Sequence, residues 1–234
     1  IFILLAFLFG NAQDNAQLYR DGFRPAANNY SDYLPFLKGK NVGVLTNQSG
    51  RVVVEEIVLG KNGAKDEVKF SEEHLVDFLI KHKVNLKKIY APEHGFRGTA
   101  DAGELVKDGK DTKTGLPIIS LYGNDKKPTK EQLTGIDIMV FDLQDVGARF
   151  YTYISSLHYL MEACAENDIP LIVLDRPNPN GTIIDGPILE MKNQSFVGMH
   201  PIPVLHGMTI GEYAMMINGE GWLKDKLQCE LIVI

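Results

Sequence analysis

Residues 136–153, IDIMVFDLQDVGARFYTY, constrain the fold more than any other stretch. The run opens with Ile136, Ile138, Met139, Val140 and Phe141 behind the turn-forming pair Thr134-Gly135. It is short, rich in β-formers and apolar on both alternating sets, so it reads as a strand buried on both faces. The apolarity then stops, and Asp142, Gln144, Asp145 and Arg149 follow. Ile154, Leu157, Met161 and Cys164 next recur at the spacing of a helix with one apolar face. A core strand that delivers charged groups to the start of a helix is the building block of an open parallel sheet. The carboxyl edge of such a sheet is where ligands bind.

The rest of the chain repeats the pattern. Strands are expected at 41–46, 87–91, 116–121, 170–174 and 229–234, with helices at 72–82, 128–133 and 208–218. Thr209 with Glu212 three residues on is a capping box. Strands alternating with helix-sized connections predict an α/β fold: a mostly parallel sheet with helices on both faces. Polar groups follow the strands one after another: Asn47, Glu93, Tyr122, Asp142 and Asp175. Turn and helix capping accounts for any one of them. In a parallel sheet all five meet along one rim, and the joint pattern points to a site.

The ends carry separate signals. Residues 1–10, IFILLAFLFG, are too short an apolar run to span a bilayer and match the core of an export signal. Gly10-Asn11-Ala12 has the small-x-small form of a cleavage site. Residues 1–12 are therefore expected to be a signal-peptide remnant, and the protein exported, periplasmic or extracellular, with no stable membrane insertion. Residues 13–40 are mixed and polar and are expected to wrap the surface. The last residues, 231–234, are strand-like with no cap after them, so the domain from 41 to 234 is expected to be truncated at its C-terminal end. With 24 basic against 30 acidic residues, the net charge of −6 offers no bulk attraction for nucleic acid. Cys164 and Cys229 form no disulfide framework, and Cys164 reads as core.

The sequence excludes several chemistries. Gly95-Phe96-Arg97-Gly98 lacks dinucleotide spacing, and there is no phosphate-binding P-loop. His94, His200 and His206 lack zinc spacing, and no Gly-x-Ser-x-Gly elbow is present. What remains is carboxylates with arginines and tyrosines. Cleaving a glycosidic bond needs a protonated carboxylic acid beside the leaving oxygen, and usually a second carboxylate. Glu93, Asp142, Asp145, Asp175 and Glu212 are candidates. Tyr151 and Tyr153 are placed either to stack on sugar faces or to pack at a helix start. Arg97, Arg149 and Arg176 are placed either to grip a substrate carboxylate or to pair with neighbouring aspartates. Asn47, His94, Gln144, Asn178 and His206 complete the candidate binding set. Asp142 and Asp145 also suit Mg²⁺, the basis of a rival reading as a metal-assisted phosphate or amide hydrolase.

Five runs appear in order: Pro92-Glu93-His94-Gly95-Phe96-Arg97-Gly98, Ser120-Leu121-Tyr122-Gly123, the segment 141–153, Leu174-Asp175-Arg176-Pro177-Asn178-Pro179, and His206-Gly207-Met208-Thr209-Ile210-Gly211-Glu212. With them the chain, from about residue 41 onward, resembles the exo-β-N-acetylmuramidases of the NamZ type, long known as a domain of unknown function. The resemblance implies a Rossmann-like domain at 41–234 followed by a smaller second domain, which this chain is expected to lack. It implies a glycosidase of cell-wall recycling that removes N-acetylmuramic acid from the non-reducing ends of peptidoglycan-derived muramic acid–glucosamine saccharides. Glu93 matches the family's favoured acid, and the substrate's acetamido group is a candidate assistant. Catalytic roles are thus expected for Glu93, Asp142 and Asp145, with no cofactor and no metal. The lactyl carboxylate of muramic acid gives the arginines a ligand. A non-catalytic wall-sugar binding module is the third reading.

Overall fold

The computed structural model describes residues 24–58, 67–97, 108–123 and 125–234. The expected signal remnant, residues 13–23, and Gly98 of the glycine-rich run lie outside them. Eleven strands appear among these residues: β1 Asn41–Thr46, β2 Arg51–Val58, β3 Glu67–His74, β4 Asn85–Ala91, β5 Gly109–Lys110, β6 Pro117–Ser120, β7 Ile138–Asp142, β8 Leu171–Val173, β9 Ile184–Asp185, β10 Leu205–His206 and β11 Leu231–Val233. The helices are α1 Tyr30–Leu37, α2 Leu75–Lys81, α3 Lys130–Leu133, α4 Tyr153–Glu166 and α5 Ile210–Gly219.

The main sheet runs β11-β8-β7-β1-β4-β6-β5. Every pairing in it is parallel except the short β5 on β6. Taking the six parallel strands in chain order, the sheet reads third, second, first, fourth, fifth, sixth. That is the doubly wound, Rossmann-like order, whose direction reverses between β1 and β7. A crevice opens at such a reversal, where connections leave to opposite faces.

Strand alternation builds two cores. Along β7, Ile138 and Val140 face one layer while Met139 and Phe141 face the other. The first layer packs against Tyr33 and Leu37 of α1 and Leu75, Val76, Phe78 and Leu79 of α2. The second packs against Ile154, Leu157, Leu160 and Met161 of α4 and Tyr213, Ala214 and Ile217 of α5. Gly43 of β1 faces the second layer because nothing larger fits: a Cβ there would sit 2.4 Å from Met139 Sδ.

The expected capping box forms, and a second appears that was not expected. Thr209 and Glu212 close a capping box on α5, and Thr129 with Gln132 closes another on α3. Two expectations need correction. The segment 13–40 is not all surface: Ala27, Tyr33 and Leu37 are buried, and the Tyr33 hydroxyl donates to Ala27 O at 2.9 Å. The helix expected from residue 72 begins at Leu75, because residues 67–74 pair antiparallel with 51–58 in a hairpin inserted after β1. The buried imidazole of His74 then caps α2, its Nδ1 accepting from Val76 N at 3.2 Å.

Candidate active site

Of the five expected rim positions, Asn47, Glu93, Tyr122 and Asp175 follow the carboxyl ends of β1, β4, β6 and β8, and Asp142 is the last residue of β7. Glu93 sits in a tight turn after β4. His94 and Gly95 both take positive φ, 71° and 75°, and Gly95 N donates to Pro92 O at 3.0 Å. For histidine this left-handed conformation costs about 1–2 kcal/mol, so the turn is held there by its surroundings. Glu93 Oε2 accepts a hydrogen bond of 2.8 Å from Thr152 Oγ1, which joins the β4 turn to the start of α4. The Tyr122 phenol comes from the loop after β6, and burial first and then nearby Glu93 raise its pKa.

Asn47, at the end of β1, is buried and fully engaged. Its Oδ1 accepts from Ser49 N at 2.9 Å and Ser49 Oγ at 2.6 Å, and its Nδ2 donates to the Tyr153 hydroxyl at 2.6 Å. Asn47 O meets His74 Nε2 at 2.8 Å. Tyr153 is buried in the α4 core, so it is not a sugar-stacking surface. Its ring meets that of half-buried Tyr151 at 4.8 Å and 75°. Burial raises the pKa of both tyrosines, and the charge of Glu93 adds to it. Both therefore stay protonated across the physiological range.

Asp142, expected to be catalytic, is a structural anchor. It is 0% exposed, and Arg176 clasps it in two prongs, Nε to Oδ1 at 2.6 Å and Nη2 to Oδ2 at 3.0 Å. Arg176 Nη2 also reaches Arg51 O at 3.2 Å, tying the β7 and β8 ends to the hairpin. The same contacts keep Arg176 from a substrate carboxylate and both Asp142 oxygens from a cation shared with Asp145. Among the described residues no three His, Cys, Asp or Glu side chains gather as a metal site.

Asp145 is buried and turned elsewhere. Oδ2 accepts from Gly147 N at 2.7 Å and lies 3.7 Å from His206 Nε2. Asp145 Oδ1 and His206 Nε2 are buried without a hydrogen-bond partner. Gln144 braces the loop, its Nε2 donating to Asp145 O at 2.7 Å and Pro177 O at 2.8 Å. Asp175 Oδ1 accepts from Gly211 N at 2.7 Å in the first turn of α5, and Asn178 Nδ2 donates to Met208 O at 2.8 Å. Asp175, Asn178 and Glu212 line a cleft of about 650 Å³ beside the rim, and Glu93 is not among its walls.

Of the other two arginines, Arg97 takes the expected role of pairing with an aspartate, as Arg176 does, and Arg149 takes neither expected role. Arg97 forms a two-pronged pair with Asp111 at 3.0 and 2.9 Å. Desolvation would raise the Asp111 pKa, but Arg97 and Thr114 hold it at about 2. Arg149 Nη1 donates to Pro187 O at 2.7 Å and Ile202 O at 2.6 Å, fastening a surface segment. The structure thus gathers Glu93, Tyr151, Tyr153 and Asn47 in one cluster and Asp145 with His206 in another. It leaves Arg97 outside. Thr152 and Ser49 were not anticipated. Thr152 lies between two tyrosines flagged in the sequence, whereas nothing there singles out Ser49.

Comparison with known proteins follows this geometry. Residues 42–234 match the family described as exo-beta-N-acetylmuramidase NamZ, N-terminal. The chain is 49% identical over 191 residues to the peptidoglycan beta-N-acetylmuramidase NamZ of Bacillus subtilis (strain 168), covering 81% of this chain and 42% of that protein. It also resembles crystal structures of two DUF1343 family proteins from Bacteroides fragilis NCTC 9343, with TM-scores of 0.72 and 0.73 and identities of 42% and 39%. Each likeness covers 90% of this chain and 50% or 49% of the other. The chain therefore spans about half the length of the relatives it matches.

Proposed function

The chain belongs to the exo-beta-N-acetylmuramidase NamZ family, and from that premise we propose that it takes part in releasing N-acetylmuramic acid from the non-reducing ends of peptidoglycan-derived saccharides. Glu93 is the general acid. It gives its proton to the glycosidic oxygen as the bond to the anomeric carbon breaks, and the glucosamine-bearing fragment leaves. Water then adds at the anomeric carbon, with Glu93 taking the proton back. The acetamido group of the sugar is our choice to shield the cationic carbon in between, in the manner of substrate-assisted glycosidases. Work on wall fragments fits an exported protein.

The observation that carries this reading is the setting of Glu93. It sits at the carboxyl edge of the sheet, beside the reversal between β1 and β7. Thr152 holds one oxygen at 2.8 Å, and Glu93 lies near enough to Tyr122 to raise the pKa of that phenol. Product analysis on a muramic acid–glucosamine disaccharide tests it. The protein is expected to release free N-acetylmuramic acid, and Glu93→Gln to fold normally while losing about 10²- to 10⁴-fold in turnover. A folded Glu93→Gln variant with an unchanged rate removes Glu93 from the chemistry. Saturable binding without product makes the protein a binding module instead.

A further inference from the structure

We infer that Tyr122 is a platform for the sugar that leaves, its ring stacking on the glucosamine unit on the far side of the acid, with Phe196 as the brace behind it. The inference rests on the glycosidase reading above and adds a leaving-group subsite to it.

Register brings Tyr122 to the acid. Strands β4 and β6 are parallel neighbours, Ala91 pairs with Ser120, and Leu121 N donates to Ala91 O at 2.8 Å. Glu93 and Tyr122 each lie two residues beyond that pair. The two backbones therefore leave the rim about one strand spacing, ~5 Å, apart. Phe196 reaches the same place from α4. Thr152, which holds Glu93, accepts at its carbonyl from Ser155 N at 3.1 Å, and Ser155 Oγ donates to Phe196 O at 2.7 Å. The rings of Phe196 and Tyr122 meet at 6.4 Å and 49°. Phe196 is itself clamped: Tyr159 stacks on it at 6.1 Å and 13°, and Lys126 Nζ lies 4.9 Å from its ring centroid. Tyr122 is only half-buried, so its ring is held from behind and partly open to solvent.

Order along the rim assigns the sugar. From the crevice between β7 and β1 the strands run β1, β4, β6. The sugar whose bond breaks lies at that crevice, Glu93 comes next, and Tyr122 lies beyond it. A general acid stands beside the leaving oxygen, so the far side of the acid belongs to the leaving group. The C–H face of a pyranose is apolar and faintly positive, which suits an aromatic face that is faintly negative. Contact made there with a unit that does not react lowers the barrier where the bond breaks.

Two variants, Tyr122→Leu and Tyr122→Phe, test the platform, with folding checked by circular dichroism. Each is assayed on the muramic acid–glucosamine disaccharide and on the methyl β-glycoside of N-acetylmuramic acid, which has no leaving sugar to stack. Tyr122→Leu is expected to lower kcat/KM on the disaccharide roughly ten-fold, with a loss about five-fold smaller on the methyl glycoside. Tyr122→Phe keeps the ring and is expected to stay within about three-fold of the parent on the disaccharide. Tyr122→Leu within about two-fold of the parent on the disaccharide overturns the inference. An equal loss on the two substrates also overturns it, because Tyr122 then acts on the acid and not on the leaving sugar. So does a Tyr122→Phe as damaged as Tyr122→Leu. Should the parent release no N-acetylmuramic acid from the disaccharide, the glycosidase reading fails. In that case, or if the parent cleaves only the disaccharide, calorimetric binding of N-acetylglucosamine decides the platform. Weaker binding by Tyr122→Leu then supports it, whereas equal affinity, or no binding by the parent, overturns it.

Discussion

Replacing Asp142 by Asn separates a structural carboxylate from a catalytic one. Asp142 is 0% exposed and Arg176 6% exposed, and the two share hydrogen bonds of 2.6 and 3.0 Å. Taking the charge from one member leaves a buried guanidinium without its carboxylate, which costs about 3–5 kcal/mol. For a chain of this size, about 2–4 °C is lost per kcal/mol, so the melting temperature is expected to fall by roughly 6–20 °C. Urea unfolding followed by the fluorescence of Trp222, the one tryptophan, measures the loss. That ring stacks on His200 at 4.4 Å and so reports on the packing of the second core layer. The double variant Asp142→Leu/Arg176→Met removes both charges and is expected to recover most of the stability, since apolar replacement of a buried pair is often neutral or better. Turnover per folded molecule is expected to stay within a few-fold. A loss below about 1 kcal/mol for Asp142→Asn refutes the anchor. A ten-fold drop in rate per folded molecule returns Asp142 to the chemistry.

Three further outcomes are expected. Burial lowers the pKa of His74 and His158 and brings that of His200 to about 3, so all three fold as neutral groups. Their contribution is complete above the unfolded value near 6.5 and is lost as pH falls below it, for His200 down to about 3. Urea unfolding should therefore show stability falling as pH drops below 6.5, by up to about 1.4 kcal/mol over the first unit from His200, and a His200→Gln background should flatten the slope. Gly147→Ala is expected to destabilise by more than about 1 kcal/mol in thermal melts. Its φ is 73°, and a Cβ would lie 2.2 Å from Asn178 Oδ1. Thr152→Val keeps the shape of the side chain and removes its donor to Glu93; steady-state kinetics should show kcat reduced by about ten-fold with little change in melting temperature.

How much could be read beforehand depended on how local the cause was. The strand at 138–142 and the box of Thr209 with Glu212 are written in neighbouring residues, and both formed as expected. The doubly wound sheet follows from strands alternating with helices, and Glu93 and Asp142 fell on its rim for that reason. The hairpin after β1 was missed although Val52-Val53-Val54 is β-branched, because the expected helix was extended back over its second strand. Arginine partners were not legible. Asp142 is 34 residues from Arg176, and Asp111 is 14 from Arg97 and carries no motif. Two open roles had been left for each arginine, and only distances separate them.

Arg149 carries a mechanical consequence. It lies in the same turn as Tyr151, and it grips the carbonyls of Pro187 and Ile202. Ser155, two residues into α4, reaches over to Phe196 O at 2.7 Å. The excursion between residues 187 and 202 is thus moored at three points to the stretch that presents the tyrosines. A change of length or shape in that outer loop is transmitted as a tilt of the turn beneath it. Variation in that outer loop can retune how the Thr152 hydroxyl meets Glu93 while every residue around the acid stays the same.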